Sequence, residues 1–282
     1  MLTLLLSAAA FAADGPTFWG RQAVAVSGWP TGLLSTTIAE ARTPLYRSDS
    51  IVFRDTYIGA GAQVMLSPAF AITGARVAVS PIDVFEVTFR GAHGWYFGNG
   101  LGPMPFDSVT GSSTGERADR EEEGFSTELW SAAVDPTLKG KVWNIVFFSA
   151  WSVEYLAFDQ PSDVGSTYTY EPLRDLVVVW NDVAFEHQAA VLYQALPGGD
   201  QPSLRFGPTF RDRWAHVSGD RSTAVGALVA ARPGVQPAVP TIVGLVLWYV
   251  DDNDYGGAVP YVAGQVRWEL ERPIGAKAAA GR

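Results

Sequence analysis

Three histidines and no cysteine narrow the side-chain chemistry open to this 282-residue chain. His216-Val217-Ser218 sets an imidazole and a hydroxyl two residues apart, on one face of a strand, with Asp220 close by. A base beside a hydroxyl, with a carboxylate to orient it, is the arrangement of nucleophilic hydrolysis. A strand end running into a turn is the plainer account of the same residues. His93 lies between glycines near a strand end, and His187 falls on the apolar face of a long strand, where it reads as a packing residue. Asp251, Asp252 and Asp254 offer the hard oxygens that calcium takes, yet no acidic residue follows where a twelve-residue calcium loop needs one. That stretch reads as a solvated turn closed by Gly256-Gly257. With no Walker loop, GxSxG elbow or HExxH in the chain, neither a cofactor nor a metal is expected.

A second group of residues carries charge rather than chemistry. Glu86, Arg90, Glu154, Asp182, Glu186, Arg205, Arg211, Arg213, Arg267 and Glu269 all alternate with apolar residues along their segments. Charges opposite an apolar strand face belong in water or in pairs, because an arginine exposed to lipid at mid-membrane costs about 2–4 kcal/mol. If the apolar faces look outward, these ten residues line an interior. They then either border a narrow hydrated path that selects solutes by charge or pair across it and plug it.

The elements that must hold them are strands. From Asp175 to Leu196 the apolar set Val177, Val179, Val183, Phe185, Val191 and Tyr193 alternates with a set holding Asp182, Glu186, Gln188 and Gln194. A strand this long exceeds the usual length of roughly 5–6 residues and suits one that crosses a bilayer at a tilt. The alternative is two strands of a sandwich, joined near Asn181-Asp182. Phe85, Val87 and Phe89 alternate with Glu86, Thr88 and Arg90, and Trp95-Tyr96-Phe97 closes that strand with aromatic residues. Trp143, Ile145, Phe147, Trp151, Val153 and Tyr155 share a face over Lys141–Ala157.

The totals agree. The chain is 48% hydrophobic and 17% charged, with 29 Gly, 10 Trp, 10 Tyr and 15 Phe, yet its most apolar internal run, Thr241–Val250, is too short for a helical span. A net charge of −9 argues against nucleic acid as a partner. Lack of cysteine rules out a disulfide scaffold, thiol catalysis and cysteine-ligated metal, and suits an exported protein. Met1–Ala13 has the apolar run and A-x-A site of a secretory signal peptide, though without a basic residue before Asp14. Residues 14–32 read as a lead-in, 33–271 as the barrel and 272–282 as a tail.

Thr56–Val79 reads as one strand bulged at Ser67-Pro68, and the whole as an up-and-down antiparallel transmembrane β-barrel of about ten strands. Splitting at Ser67-Pro68 and accepting a hairpin at Trp29-Pro30 raises the number to about twelve. Short turns at Ser80–Asp83, Asp135–Gly140, Pro197–Pro202 and Pro233–Val239 fall on the side of the chain termini. Gly98–Gly124, Asp159–Arg174 and Asp251–Gly257 fall on the other.

In these features the chain resembles bacterial outer-membrane β-barrels: a signal-like start, no cysteine, amphipathic aromatic-ended strands, and short turns alternating with longer acidic loops. The resemblance spans Leu33 to Leu270 and lies in pattern rather than motif. It departs at the end, where Arg272–Arg282 follows the Trp268 strand instead of a terminal aromatic residue. It implies location in the outer membrane of a Gram-negative-type bacterium, contact with membrane lipid and lipopolysaccharide, and a role as a narrow porin-like channel for small solutes or as a passive structural barrel. The His216-x-Ser218 spacing distantly resembles that of outer-membrane lipid A deacylases, which implies an outer-leaflet lipid hydrolase as the alternative. A secreted, soluble β-sandwich binding protein is the third reading.

Overall fold

Alternation along the chain becomes a single closed sheet. The computed structural model describes residues 15–29, 31–46, 53, 56–98, 102–109, 120–162, 164–197, 202–234, 239–250 and 260–274. The strands are β1 (Thr17–Trp29), β2 (Thr31–Pro44), β3 (Tyr57–Leu66), β4 (Phe70–Ile82), β5 (Phe85–Phe97), β6 (Met104–Phe106), β7 (Ser126–Val142), β8 (Ile145–Phe158), β9 (Tyr168–Glu171), β10 (Leu176–Val179), β11 (Asn181–Pro197), β12 (Ser203–Ala215), β13 (Arg221–Arg232), β14 (Thr241–Tyr249) and β15 (Tyr261–Pro273). Twelve of them close an antiparallel barrel in the order β1-β15-β14-β13-β12-β11-β8-β7-β5-β4-β3-β2. The seam is a full ladder, from Thr17 opposite Pro273 to Trp29 opposite Val262. Closure leaves no free sheet edge, the one arrangement in which strands can cross a bilayer.

The barrel therefore has twelve strands rather than ten. The lead-in at 14–32 is corrected: it contains β1, which pairs with β15 on one side and β2 on the other, so the barrel runs from Thr17 to Pro273 rather than from 33 to 271. Ser67-Pro68 is a turn and not a bulge. Ser67 and Phe70 exchange backbone hydrogen bonds of 2.9 and 3.3 Å, and the chain reverses there. Asp135-Pro136 is not a turn, because β7 runs through it to Val142 and turns at Trp143-Asn144. The proline is accommodated because the β7–β8 ladder skips Asp135 and Pro136. The long strand from Asp175 breaks at Trp180, so β10 leaves the barrel while β11 stays in it. Met1–Ala13, Asp251–Gly257 and the tail beyond 274 lie outside the described residues.

Outside, the barrel is apolar. Trp130, Val134, Trp151, Val153, Val191, Phe206, Trp214, Val225, Val229 and Trp248 are all exposed. Val191 is 51% exposed and Trp143 89%, and the described strands close one barrel instead of stacking two sheets on a dry centre, so the soluble β-sandwich reading ends here. An apolar girdle of this extent on a closed barrel is the surface that hydrocarbon chains cover. Two interior glycines allow the curvature. A Cβ at Gly61 would lie 1.9 Å from the Ala39 carbonyl oxygen, and one at Gly226 1.9 Å from that of Val246.

Ala227 sits halfway along β13 on the exposed face, between the levels of Trp214 and Phe206. Ala227→Arg is expected to destabilise the folded barrel by about 2–4 kcal/mol in liposomes, whereas Ala227→Leu leaves it unchanged. Urea titration followed by tryptophan emission measures both. Equal midpoints for Arg and Leu would mean that this face does not meet lipid.

Candidate functional site

The two longest connections do not simply loop away from the barrel; parts of them turn inward. β6, from the β5–β7 connection, and β9 and β10, from the β8–β11 connection, form a three-stranded antiparallel sheet in the order β10-β9-β6. Leu176 and Val178 on one face of β10 join a buried cluster with Phe70, Ile72, Tyr96, Leu129, Leu156, Phe158, Ala184 and Ala215. Those partners are interior-facing residues from five barrel strands and the β12 end. On the sheet's other face Val177, Tyr170, Met104 and Phe106 pack together. The small sheet is thus a plug seated in the barrel mouth opposite the chain termini.

The tip of the β9–β10 hairpin carries the charge. Glu171 folds back on it, accepting from the backbone N–H groups of Leu173 (3.0 Å) and Arg174 (2.6 Å) and from the Tyr96 hydroxyl. Arg174 reaches the wall and makes a two-pronged bond to Glu154, with Nε to Oε2 at 3.0 Å and Nη2 to Oε1 at 2.7 Å. Its Nη1 lies 3.2 Å from Glu171. Burial works against the Arg174 charge, but Glu154 and Glu171 outweigh it and hold its pKa well above the usual guanidinium value. Asp175 sits at φ 56°, a left-handed conformation that Asp tolerates better than most residues. Its carboxylate accepts from Tyr170 at 2.7 Å and from Tyr249 of β14 at 3.0 Å. Arg213 of β12 donates to the Arg174 carbonyl at 2.7 Å and pairs with Glu186 at 3.3 Å. The space left beside this tip, between Glu154, Arg174, Glu186 and Arg213, is a cavity of about 20 Å³, room for one water.

A second set of bonds holds the flank of β10. Asp182, 1% exposed, accepts from the backbone N–H groups of Val179, Val183, Val217 and Ser218. The Ser218 hydroxyl donates to the Val177 carbonyl at 2.7 Å, and Asp220 accepts from the Val177 N–H at 2.6 Å. The His216-Val217-Ser218 turn, expected as a possible nucleophile and base, is therefore a latch. Its hydroxyl is committed to a backbone carbonyl, and its carboxylate to a backbone N–H. The hydrolase reading of these residues is corrected accordingly.

The ten charged residues singled out above alternate with exposed apolar side chains along their strands, and most of them have partners on neighbouring elements. Arg90 pairs with Asp135, whose carboxylate also accepts from Ser152 at 2.6 Å. Glu86 accepts from Tyr57 at 2.7 Å. Arg211 donates to Tyr249 at 3.0 Å, and Arg267 lies 3.5 Å from Glu269. Glu154, Asp182, Glu186 and Arg213 meet at the plug, while Glu86, Arg205, Arg267 and Glu269 lie nearer the terminal end. The other two histidines look outward. His93 stacks on Trp130 and bonds Glu128 at 3.0 Å; His187 stacks on Trp151 and bonds Ser149 at 2.9 Å.

Glu171, Arg174 and Asp175 escaped the sequence reading, which left them in a polar loop and a strand start. A signal was present. A short alternation, Tyr168–Glu171, and a continuous apolar run, Leu176–Val179, flank a Pro172-containing charged tip, which is the pattern of a hairpin whose second strand is covered on both faces. Glu40, Arg42 and Arg76 were missed as well. Arg76 of β4 pairs with Glu40 of β2 at 2.5 Å and Arg42 with the same residue at 2.8 Å; reading Thr56–Val79 as one bulged strand had hidden the approach of β4 to β2.

Fold and interior together define a transmembrane β-barrel with a plug made from its own loops. Among solved structures the chain is similar to the beta domain of the Bordetella autotransporter BrkA, at 12% identity and a TM-score of 0.42, over 91% of this chain and 99% of that one. It is also similar to the KdgM porin (5% identity, TM-score 0.37, 89% and 98% covered) and to OmpT, an outer membrane protein of Vibrio cholerae (8%, 0.36, 91% and 100%). No family model and no curated protein matches the chain.

Proposed function

We propose that this chain is a narrow, porin-like channel of the outer membrane of a Gram-negative-type bacterium, exported through its signal-like start and resting closed on its own hairpin. In this reading membrane lipid and lipopolysaccharide surround the apolar girdle, and small solutes pass when the hairpin withdraws. One observation carries it: the plug tip is held by ions and hydrogen bonds, centred on the buried Arg174–Glu154 pair. A buried ion pair is often no more stabilising than apolar residues of the same volume. A permanent stopper gains little from it, whereas a plug that must leave and return gains a wet, polar seat.

A passive structural barrel is the second reading, favoured by the apolar packing of Leu176 and Val178 against the wall. Currents of the refolded full chain across a planar bilayer separate the two. The channel reading expects brief, discrete openings from a mostly closed state. A silent bilayer, with correctly folded barrels shown by heat-modifiable migration on a gel, would leave the structural barrel.

A further inference from the structure

Between the plug and the terminal end, the lumen wall has two unlike halves. Across β8, β11, β13 and β14 it carries an apolar band, in which Val146, Phe148, Leu192, Leu228 and Leu245 form one continuous cluster with the small residues between them, while β12 in its midst adds Arg205 and Arg211. Gly207 stands in register between Leu192 and Leu228, and without a side chain it lets them join. On β15, β1 and β4 the wall is basic, with Arg267, Arg21 and Arg76. Arg267 and Arg76 act against the charge of Arg21, and Glu269 and Glu40 act in its favour from a distance. Glu269 and Glu40 in that half are already engaged with Arg267 and with Arg76 and Arg42. Arg21 makes no ion pair among the described residues; its guanidinium lies 5.6 Å from the Trp19 ring. Arg205, at the terminal mouth, makes neither an ion pair nor a hydrogen bond among them. The Nε groups of Arg205, Arg211 and Arg267 are buried without a hydrogen-bond partner. A chain of net charge −9 has thus gathered guanidinium groups inside its barrel beside an aliphatic band, and two of them, Arg21 and Arg205, have no ion pair among the described residues.

We propose that the lumen takes small organic anions with an apolar body, such as aromatic or branched aliphatic carboxylates. The guanidinium groups match a carboxylate, and the opposite wall removes the hydrocarbon from water. A small inorganic anion uses only the first half of that surface, and an apolar cation is repelled by it. This rests on the channel reading, and the test keeps the two apart.

In planar bilayers with a potassium chloride gradient, the open full chain is expected to prefer chloride over potassium several-fold. Benzoate is expected to block the current at roughly tenfold lower concentration than acetate, a difference due to its ring alone, and benzylammonium not at all. Calorimetric titration of the detergent-folded full chain with benzoate reads binding without conduction; binding is expected, and its loss in Arg21→Gln/Arg267→Gln, with the heat-modifiable band retained. Cation preference, or equal block by acetate and benzoate, overturns this inference and leaves the channel standing. A silent bilayer overturns the channel instead, and benzoate binding by calorimetry would still uphold the lumen's specificity; absence of that binding overturns it.

Discussion

Arg174→Ala is expected to hold the barrel open. The substitution removes the two-pronged guanidinium from Glu154, leaves it only the longer 4.0 Å pair with Arg90, and sets two carboxylates, Glu154 at 7% exposure and Glu171 at 0%, in the same seat. Breaking one side of a buried ion pair costs about 3–5 kcal/mol, because the abandoned charge stays buried. That cost falls on the seated plug alone; once withdrawn, the hairpin leaves Glu154 in water. The seated-to-withdrawn ratio should therefore fall by a factor on the order of 10² to 10⁴. The measurement is open time per channel in a planar bilayer, with amide hydrogen exchange across Tyr168–Val179 as the structural readout. Open time should rise and protection over those residues should collapse, while protection in β12 and β13 persists. Arg174→Lys, which keeps the charge but not the two-pronged geometry, should fall between. Unchanged open time and unchanged protection in Arg174→Ala would show that apolar packing alone seats the plug.

Asp182→Ala is expected to have the larger effect on stability and a different signature. One carboxylate satisfies four backbone N–H groups, from both sides of the Trp180 corner and from the 216–218 turn. Each donor left unsatisfied costs about 1–3 kcal/mol, partly relieved where water can enter, so a net loss of about 3–5 kcal/mol is expected. The damage should spread. Once the turn is freed, Ser218 and Asp220 lose their fixed positions against Val177, and β10 is released along its length. Hydrogen exchange should quicken at 176–179 and at 216–220 together, and the unboiled folded band should convert to the unfolded one at a lower temperature. Asp182→Asn retains an acceptor on one side only and should lose roughly half as much. A variant within about 0.5 kcal/mol of the parent would mean that the corner and the turn hold without their shared acceptor.

The two variants separate the parts of the plug. Arg174 acts between the tip and β8, so its loss should leave the turn after β12 intact. Asp182 ties β10, β11 and that turn into one corner, so its loss should loosen the tip as a consequence.

Much of the wall could be read from the chain before any contact was known. Alternation in Val84–Arg90, Lys141–Ala157 and Asp182–Leu196 assigned Phe89, Trp151 and Val191 to the outside and Arg90, Glu154 and Glu186 to the inside. The face a residue takes is set by backbone geometry two residues at a time, so local sequence suffices. At the ends of the barrel this holds only in part: the long connections after β5 and β8 lie opposite the termini, but so do the short turns at Ser67-Pro68 and 216–220. Where the reading went astray, a local signal had two meanings. Ser67-Pro68 suits a bulge as well as a turn, and Asp135-Pro136 a turn as well as a strand whose ladder skips a proline. Thr17–Trp29, with Arg21 and Gln22 adjacent, shows its faces only once β15 and β2 lie beside it.

Sequence by itself, then, determined that this protein is built of strands with a wet and a dry side, and which side carries the charge, because alternation is a property of a few neighbouring residues. Tertiary structure alone decided that twelve strands close, that Tyr168–Val179 turns into the mouth instead of out of it, and that Arg174 finds Glu154 while Ser218 finds Val177. Those partners lie 20 and 41 residues apart, and which of several interior carboxylates a charge meets depends on the order and tilt of every strand between them.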